Sequence, residues 1–541
     1  MKVYNRNEII KGITTPETIW DVIVVGGGAT GLGTALDAVA RGYKTLLLEQ
    51  ADFAKGTSSR STKLVHGGVR YLAQGDIGLV KEALYERGLL LQNAPHLVKN
   101  ESFVIANYEW WGGIYYTIGL TLYDILAGKL GFGRAKHLSK KEVISRLPNI
   151  NQNGLQGGVL YHDGQFDDSR LAINLAQTSL EMGATILNYF RVVSLVKNAR
   201  DKISGVVATD METGTTYQIK GKTVINATGV FVDELLQMDK PGKKPIVRPS
   251  QGVHIVIDKS FMPGEDAIMI PKTEDGRVLF AVPWHDKLVV GTTDTPINEH
   301  SLEPRALDEE IEFILHTAKK YFAKAPTRKD VLSIFAGLRP LAATEDGSSK
   351  TKEISRRHKL FVSESGMITI TGGKWTTYRR MGEDTVDKAM KVGKLEATAS
   401  ATKNLSIHGS QQNVDRSDHL YVYGCDKNNV LALIKENAAW GEKLHPKMPF
   451  IQAEVVWGIR HEMARNVEDI LARRVRALFL DARAAIDMAP KVASLIAKEL
   501  DKDKAWENDQ IEKFNWLANG YLLEPYSISN KVKGDLEVTN Y

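Results

Sequence analysis

The sequence predicts an α/β protein, because the patterns of buried strand and helix alternate near its start. An apolar run at 21–25 is followed by clustered glycines, an amphipathic segment and a second apolar run at 45–48. Farther on, the segment at 279–290 alternates apolar and charged residues as an antiparallel hairpin does, and 468–500 has the amphipathic spacing of helices. We therefore expect an α/β dinucleotide-binding region, an interleaved antiparallel sheet (α+β overall) and a C-terminal helical domain.

The composition is that of an ordinary globular protein, with 43% hydrophobic and 25% charged residues. A net charge of +5 permits anionic ligands or an anionic membrane surface, but it is too small for a nucleic-acid footprint. The single cysteine excludes a cysteine-bound zinc or iron–sulfur centre, so we expect no metal and an organic cofactor for any redox chemistry. The first twelve residues lack the apolar core of a secretory signal, and we expect a cytosolic or cytosol-facing protein.

The first apolar run and the glycines after it form a Rossmann-like βαβ unit. Gly26, Gly28 and Gly31 give the spacing G-x-G-x-x-G between a buried strand and a helix. Gly26 permits the tight turn, Gly28 lets the backbone approach a pyrophosphate, and Gly31 allows close packing of helix on strand. Glu49 ends the second strand, where a carboxylate accepts hydrogen bonds from ribose hydroxyls. The unit predicts a bound dinucleotide and leaves NAD and FAD both open.

The segment TSSRSTKLVHGGVRYL at 57–72 follows the second strand. Because strand ends of an open α/β sheet face the ligand crevice, we expect this segment to line the cofactor and a second anion. The hydroxyls expected near phosphate or flavin are Thr57, Ser58 and Ser61, and the cations expected near the second anion are Lys63, His66 and Arg70. A solvated loop is the alternative. The absence of an aromatic stacking platform beside the cations argues against a nucleic-acid patch.

Two later glycine-containing segments predict further contacts between backbone and ligand. An apolar strand at 224–227 ends at Ala227, and Gly229 after it suits close passage of the backbone near a ligand. The segment TGGKWTTYRR at 371–380 follows a strand with Gly372 and Gly373 and continues as a helix. A helix start of this kind suits a second approach of the backbone to a ligand.

The chain resembles the FAD-dependent glycerol-3-phosphate dehydrogenases. The likeness begins with SSRSTKLVHGGVRYL at 58–72 and continues through six further blocks in the same order. These are YHDGQFDDSRLAINLAQTSLEMGA (161–184), VINATGVFVDEL (224–235), VRPSQGVHIVI (247–257), VPWHDKLVVGTTDTP (282–296), FAGLRPL (335–341) and TITGGKWTTYRRMGE (369–383). Residues 453–485 also resemble the helical C-terminal domain of that family.

The resemblance implies FAD as cofactor and sn-glycerol 3-phosphate as substrate. It places the substrate near Arg70, Tyr71, Arg356 and Lys374, of which Arg356 is ambiguous with its neighbour Arg357. His254 is the expected general base, since an imidazole suits proton removal near neutral pH, and Arg339 is expected to stabilise the forming alkoxide. Which of these two removes the proton stays open, because a strand histidine is more often structural. Cofactor contacts are extended to Lys63, His66, Gly67, Ala227, Gly229, Gly372, Gly373 and Thr376.

We expect an FAD-dependent oxidoreductase region at 1–395, a linker at 396–418 and a helical domain at 419–541. The FAD-binding parts are expected at about 15–100, 155–245 and 330–395, and the substrate-binding part at about 246–330. The arginines of 469–483 are expected on a solvated helix face, with docking on anionic lipid as the alternative.

The expected reaction is oxidation of sn-glycerol 3-phosphate to dihydroxyacetone phosphate, with electrons passed to a membrane quinone at the cytosolic face. The alternatives are an oxidase using oxygen, another FAD-dependent amine or hydroxy-acid oxidoreductase, and a non-catalytic flavin-binding or RNA-interacting protein. No nucleic acid is expected as a partner, and a homodimer is considered. The apolar segment at 110–133 is interrupted by charges and glycines, so it predicts a helical hairpin or, alternatively, a monotopic membrane-contacting surface.

Overall fold

The computed structural model describes residues 5–13, 15, 17–73, 75–109, 112–274, 276–342 and 357–526, with the backbone alone at 70, 73 and 112. The strands are β1 Ile19–Val25, β2 Thr45–Leu48, β3 Leu64–Val65, β4 Val98–Asn107, β5 Lys136–Ser139, β6 Gly157–Phe166, β7 Thr185–Leu187, β8 Phe190–Lys197, β9 Ile203–Asp210, β10 Thr216–Asn226, β11 Val247–Asp258, β12 Ala267–Ile270, β13 Leu279–Trp284, β14 Lys287–Gly291, β15 Thr295–Pro296, β16 Val331–Ala342, β17 Lys359–Val362 and β18 Ile368–Thr371. The helices are α1 Arg6–Ile13, α2 Ala29–Ala40, α3 Val69–Ala73, α4 Ile77–Asn93, α5 Gly112–Ala127, α6 Lys140–Arg146, α7 Asp168–Glu181, α8 Val232–Asp239, α9 Asp308–Tyr321, α10 Tyr378–Gly393, α11 Lys427–Glu436, α12 Gln452–His461, α13 Ala477–Leu480, α14 Ala482–Glu499 and α15 Lys504–Asn519.

The first sheet has a parallel centre, in the order β18-β10-β1-β2-β7. β1 is buried along most of its length because α2 and α10 cover one face and apolar side chains of β8 and β9 cover the other. A strand buried on both faces is a continuous apolar run, which is why 21–25 was recognisable from the sequence. The predicted βαβ unit is therefore present as β1-α2-β2.

The second sheet is mostly antiparallel, in the order β15-β11-β14-β13-β12-β4-β6-β3, with β16 paired to β11. β13 and β14 form the hairpin expected at 279–290, with His285 and Asp286 at positive φ in its two-residue turn. β11 and β16 pair over almost their full length. This long pair brings distant parts of the sequence side by side at the cleft described below.

The helical C-terminal part packs on the second sheet. Phe479 of α13 meets the ring of Phe335 on β16 at 5.0 Å between centroids, edge to face. Residues 396–418 are irregular apart from one short turn, and they lie on the first sheet's helices. Tyr43, for example, donates its hydroxyl to the carbonyl of Glu396 at 2.5 Å. The α/β class, the antiparallel sheet and the helical domain that the sequence predicts are all confirmed.

The expectation of a solvated arginine face at 469–483 is wrong for its central arginines. Arg473, Arg474 and Arg476 are 1–2% exposed. Arg473 and Arg474 both bind the carboxylate of Asp52, with the Nη1 of Arg474 at 2.5 Å from Oδ2. Arg476 binds Asp168, with 3.0 Å from Nη2 to Oδ1. Buried guanidinium groups need such partners, so these residues tie the C-terminal part to the first domain.

Within the described residues 112–133, the apolar segment forms one α-helix, α5, and not the expected helical hairpin. A short turn at Gly128–Leu130 ends it. Its inner face carries the buried Leu120 and Tyr123, whereas Ile114, Ile118 and Ile125 on its outer face are 65–69% exposed. No helix in the described ranges is both long enough and apolar enough to cross a bilayer.

Candidate active site

The candidate active site is a cleft lined by both sheets. Its wall runs from the glycine turn after β1 to the loop after β18 and to the neighbouring strands β11 and β16. The sequence-predicted residues that line it are Gly26, Gly28, Glu49, Thr57, Ser58, Ser61, His66, Ala227, Gly229, His254, Arg339, Gly372, Gly373, Lys374 and Thr376.

The glycine turn brings the start of α2 to the cleft. Gly26 has φ +109°, and a Cβ built on it would lie 2.6 Å from the carbonyl oxygen of Ala227. A Cβ on Gly31 would lie 1.8 Å from the carbonyl oxygen of Gly26, so the helix packs directly on the turn. Ser58 accepts a hydrogen bond from the amide of Ala29 at 2.9 Å. A helix start with amides at a cleft wall is suited to phosphate.

Glu49 lies at the end of β2, where the sequence places it. Its carboxylate accepts hydrogen bonds from the amides of Gly27 at 2.6 Å and Ala51 at 2.9 Å, one on each oxygen. Burial raises its pKa, and the two amides oppose that rise. Each oxygen keeps a lone pair that can accept from a ribose hydroxyl. Thr57 turns its hydroxyl away to the carbonyl of Leu338, at 2.5 Å.

Ser61 and Lys63 both bind Asp168, at the start of α7. The Ser61 hydroxyl lies 2.7 Å and the Lys63 ammonium 2.6 Å from its Oδ2. Lys63 is fully buried, and burial lowers its pKa to about 8 despite this partner. Its backbone is left-handed, with φ +63°, which directs the side chain inward. Lys63 was expected to face a second anion, but the structure places it behind the cleft wall, against Asp168.

The other edge of the cleft brings His66, Lys374, Thr376 and Tyr71 together. The backbone amide of His66 donates to the Thr376 hydroxyl at 3.1 Å, and its carbonyl accepts from the Lys374 ammonium at 3.3 Å. That ammonium lies 5.1 Å from the centre of the Tyr71 ring. Four predicted site residues thus share one corner of the cleft. We call the backbone segment 66–71, which carries two of them, the substrate turn.

Two of the predicted substrate-binding residues, Arg70 and Arg356, have no described side chain. Arg70 lies in α3, next to Tyr71, at a position where the structure describes the backbone alone. Arg356 lies outside the described residues, although its neighbour Arg357 is described and pairs with Asp76 at 2.8 Å. Their part in the site therefore stays a prediction.

His254 lies on β11, opposite Phe335 of β16, and is 2% exposed. Its Nε2 lies 2.9 Å from the Thr62 hydroxyl, and its ring stacks on Phe335 with 5.0 Å between centroids. Its Nδ1 has no hydrogen-bond partner in the described part of the chain. Burial, with the charges of Lys63 and Arg339, lowers the pKa of His254 well below its usual value. The imidazole is therefore neutral at neutral pH and free to accept a proton.

Arg339 lies on β16 at the position that pairs with Ser250 of β11. Its Nη2 donates to the Thr292 hydroxyl at 2.9 Å, and its Nη1 lies 3.4 Å from Asp294 Oδ1. The side chain is 21% exposed, so it is held by partners and still reaches the cleft. This is the arrangement of a cation that is oriented before a ligand arrives.

Two glycines leave room for these side chains. A Cβ on Gly252, between Ser250 and His254 on β11, would lie 2.2 Å from Arg339 Nη2. A Cβ on Gly291 would lie 2.4 Å from His254 Cδ2. Strand glycines often mark close approaches, and here they admit the two candidate catalytic side chains.

The residues present fit a dinucleotide that carries a redox-active ring. One end of the cleft has helix amides and a carboxylate, which suit pyrophosphate and ribose. The other end has a second backbone approach, where Gly372 and Gly373 at φ +77° and +75° precede Trp375, whose indole donates to the Ser58 carbonyl at 2.8 Å. There the cleft reaches His254, so the cofactor ring and the candidate base would share one space.

Comparison with known families agrees with this geometry. Residues 21–379 match the family described as "FAD dependent oxidoreductase", and residues 367–507 match the "C-terminal domain of alpha-glycerophosphate oxidase". The chain is an FAD-dependent oxidoreductase, and FAD is its cofactor.

Relatives and solved structures narrow the class. The mitochondrial glycerol-3-phosphate dehydrogenase of Homo sapiens is 40% identical over 95% of this chain and 75% of its own. A relative in Caenorhabditis elegans, named as a probable mitochondrial glycerol-3-phosphate dehydrogenase, is 39% identical over 97% and 77%. The Bacillus halodurans glycerol-3-phosphate dehydrogenase complexed with FAD superposes with TM-score 0.79 at 29% identity, over 97% of this chain and 99% of that one. The chain belongs to the family of FAD-dependent glycerol-3-phosphate dehydrogenases.

An oxidase shares the fold at lower similarity. The L-alpha-glycerophosphate oxidase of Mycoplasma pneumoniae with FAD bound superposes with TM-score 0.55 at 16% identity, over 72% of this chain and 98% of that one. This likeness concerns the fold alone.

Sequence reasoning missed several residues that support the site. Thr62 orients His254, Asp168 holds Lys63 and Ser61, and Thr292 holds Arg339. Thr62 lies inside a segment already singled out, so its hydroxyl was a signal that could have been used. Asp168 and Thr292 are distant in sequence from the groups they bind, and only the fold brings them close.

Proposed function

We propose that this protein oxidises sn-glycerol 3-phosphate at C2 to dihydroxyacetone phosphate and passes the electrons to a membrane quinone. The observation that carries the proposal is the meeting of His254 and Arg339, on paired strands, at the end of the cleft that also holds Lys374. A base, an oriented cation and a phosphate-binding cation are the groups that oxidation of a phosphorylated secondary alcohol requires.

His254 removes the hydroxyl proton in this proposal. Its lowered pKa leaves the imidazole neutral over the physiological range, and the Thr62 hydroxyl and the Phe335 ring hold it in one orientation. Arg339, fixed by Thr292 and Asp294, stabilises the alkoxide as the proton leaves. FAD, when bound, supplies the hydride acceptor.

Cations at the substrate turn bind the phosphate. Lys374 is anchored to the His66 carbonyl and lies over the Tyr71 ring, and it can serve a phosphate as a point charge. We assign Arg70 and Arg356 to the same anion on the family resemblance. Arginine suits this role because its planar fork makes paired, charge-assisted bonds to phosphate oxygens.

An anaerobic absorption titration with sn-glycerol 3-phosphate tests the reaction. The flavin absorption of the purified protein is expected to bleach on addition of substrate, and to remain when glycerol or inorganic phosphate is added instead. Bound flavin that does not bleach would leave the fold assignment standing and contradict the substrate. Readmitting air then separates the two acceptors, because rapid return of the flavin colour in air without added quinone would favour the oxidase alternative.

Comparing rates of flavin reduction in single variants tests the role of His254. His254→Ala is expected to slow the reduction by about a hundredfold, in the range of general-base contributions. Tyr161→Phe serves as a control for loss of a buried polar group outside the cleft, since its hydroxyl hydrogen-bonds the sulfur of Met269. A His254 variant that reduces its flavin at the wild-type rate would contradict the assignment.

The outer face of α5 supports the proposed contact with a membrane. Ile114, Ile118 and Ile125 project from this face, and Tyr115 beside them is 57% exposed. The segment after the helix carries exposed cations at Lys129, Arg134 and Lys140. An apolar helix face next to cations fits the surface of an anionic bilayer, where an acceptor quinone would be reached. We place this contact on the cytosol-facing side, as the sequence analysis expects.

Sedimentation with vesicles of mixed phosphatidylglycerol and phosphatidylcholine tests the membrane contact. The double variant Ile118→Gln/Ile125→Gln is expected to bind at least about tenfold more weakly, since burial of one isoleucine contributes about 1.5–3 kcal/mol. A matched control is Val193→Gln/Met211→Gln, which changes two exposed apolar residues on β8 and the β9–β10 turn. Equal binding by both double variants would overturn the assignment of this face.

A further inference from the structure

The substrate turn is hydrogen-bonded to a buried tyrosine hydroxyl, which has no role in the proposed mechanism and was not among the residues predicted from the sequence. The backbone amide of Gly67 donates to the hydroxyl oxygen of Tyr123 at 2.7 Å. Tyr123 belongs to the inner face of α5 and is 1% exposed. The turn is therefore hydrogen-bonded to a side chain that belongs to another element.

The Tyr123 hydroxyl continues into a charge pair. It donates to Asp163 Oδ2 at 2.7 Å, and Asp163 Oδ1 accepts from Arg87 Nη1 at 2.7 Å. Arg87 is 1% exposed and lies over the Phe132 ring at 4.1 Å. Burial, with the charge of Asp163, raises the pKa of Tyr123 well above its usual value, so the hydroxyl keeps its proton and donates. The direction of each hydrogen bond in the chain from Gly67 to Arg87 is thereby determined.

The fit around Gly67 is close. A Cβ on Gly67 would lie 2.6 Å from both the Tyr123 oxygen and Leu84 Cδ2. Gly68 has φ +84°, and a Cβ on it would lie 2.3 Å from the Tyr71 ring. The turn therefore has little freedom to shift while Tyr123 holds its amide.

We propose that Tyr123 is a positioning residue that holds the substrate turn in the shape that binds substrate, through the Gly67 amide and the Asp163–Arg87 pair. The turn carries Tyr71 and the His66 carbonyl, and both contact Lys374. Loss of the Tyr123 hydroxyl leaves the Gly67 amide buried without its acceptor, which favours other shapes of the turn. This inference rests on the proposed function for the identity of the substrate, but the state of the turn can be measured without it.

The test compares Tyr123→Phe with Tyr161→Phe in the FAD-loaded protein. Each variant removes one oxygen from a buried tyrosine, and the Tyr161 hydroxyl hydrogen-bonds the sulfur of Met269, whereas the Tyr123 hydroxyl accepts from the Gly67 amide. The first readout is hydrogen–deuterium exchange of the peptide that contains the Gly67 amide. We expect exchange at least about fivefold faster in Tyr123→Phe, which corresponds to loss of one hydrogen bond, and unchanged exchange in Tyr161→Phe.

The second readout is the dependence of flavin reduction on substrate concentration. Tyr123→Phe is expected to raise the half-saturating concentration of sn-glycerol 3-phosphate about five- to tenfold, with the limiting rate within about twofold of wild type. A general packing defect would not separate the two parameters in this way.

Three results would overturn the proposal. These are unchanged exchange in Tyr123→Phe, faster exchange with an unchanged half-saturating concentration, and equal changes in the two tyrosine variants. If wild type itself is not reduced by sn-glycerol 3-phosphate, the proposed function fails, and the exchange comparison alone then decides whether Tyr123 holds the turn.

Discussion

At the scale of single residues, the environment of His254 differs from that of an ordinary histidine. Its ring is buried, stacked on Phe335 and close to two positive side chains, Lys63 and Arg339. From the sequence, only the ordinary histidine pKa of about 6.5 could be used, because the residue type alone does not reveal which groups surround the side chain. The structure lowers that pKa, so the imidazole stays neutral to lower pH than the sequence alone suggests, but it is also a weaker base than a free imidazole.

The lowered pKa of His254 has a consequence for stability. The unfolded chain takes up a proton near pH 6.5 and the folded chain does not, so the contribution of this group is present above pH 6.5 and is lost as pH falls. Between pH 7.5 and 5.5 the loss is about 1.4 kcal/mol in the free energy of unfolding. Urea denaturation at both values is expected to show a smaller acid-induced loss in His254→Asn than in wild type. Equal losses in both would contradict the shift.

At the scale of elements, the pair β11 and β16 makes the site, because it lays Arg339 beside the strand that carries His254. The hairpin of β13 and β14 was predictable, since its alternation and turn residues are local in sequence. The pairing of β11 with β16 was not, because about eighty residues separate them and no local pattern records a partner. The glycine turn before α2 was predictable for the same reason as the hairpin.

Gly252→Ala tests whether the absence of a side chain at position 252 allows Arg339 to adopt its observed position. The added methyl overlaps the guanidinium, which is the flexible end of a side chain, so the fold is expected to survive while Arg339 moves. We expect flavin binding to be retained and the rate of flavin reduction by substrate to fall about ten- to a hundredfold. Gly12→Ala on α1, where no atom lies within 4 Å of a new Cβ, is the control. Identical rates of flavin reduction in both variants would show that the space at Gly252 is not needed for the position of Arg339.

At the scale of the whole molecule, the C-terminal part is tied by buried charges to the loop after β2. Asp52 of this loop lies near Glu49, which lines the cleft, and it binds the guanidinium groups of Arg473 and Arg474. Burial raises the pKa of Asp52, but the two arginines outweigh burial and lower it. Helical periodicity predicted the helices of this region, yet it could not identify a carboxylate some four hundred residues away as the partner of these arginines.

Asp52→Asn is expected to destabilise the protein by about 3–5 kcal/mol, because it breaks a buried ion pair. Arg473 keeps Glu468 and Asp469 as partners, but Arg474 keeps only the more distant carboxylate of Glu462, at 3.9 Å, among the described residues. The thermal unfolding midpoint checks this. Glu212→Gln provides the control, since its pair with Arg465 is partly exposed and contributes about 1 kcal/mol or less. A loss no larger than that of the control would show that Asp52 is not essential to the contact between the domains.

The position of Arg473 and Arg474 near the end of the chain affects how the protein is made. A ribosome releases the loop that carries Asp52 early, but the counter-charges of Asp52 emerge only after more than four hundred further residues. Until then, burial of the Asp52 carboxylate is unfavourable because its arginine partners are missing. The loop that carries Asp52 is therefore expected to stay exposed to water. Nascent chains should therefore acquire FAD late, after translation has passed residue 474. Chains truncated before that point should remain unable to retain the cofactor.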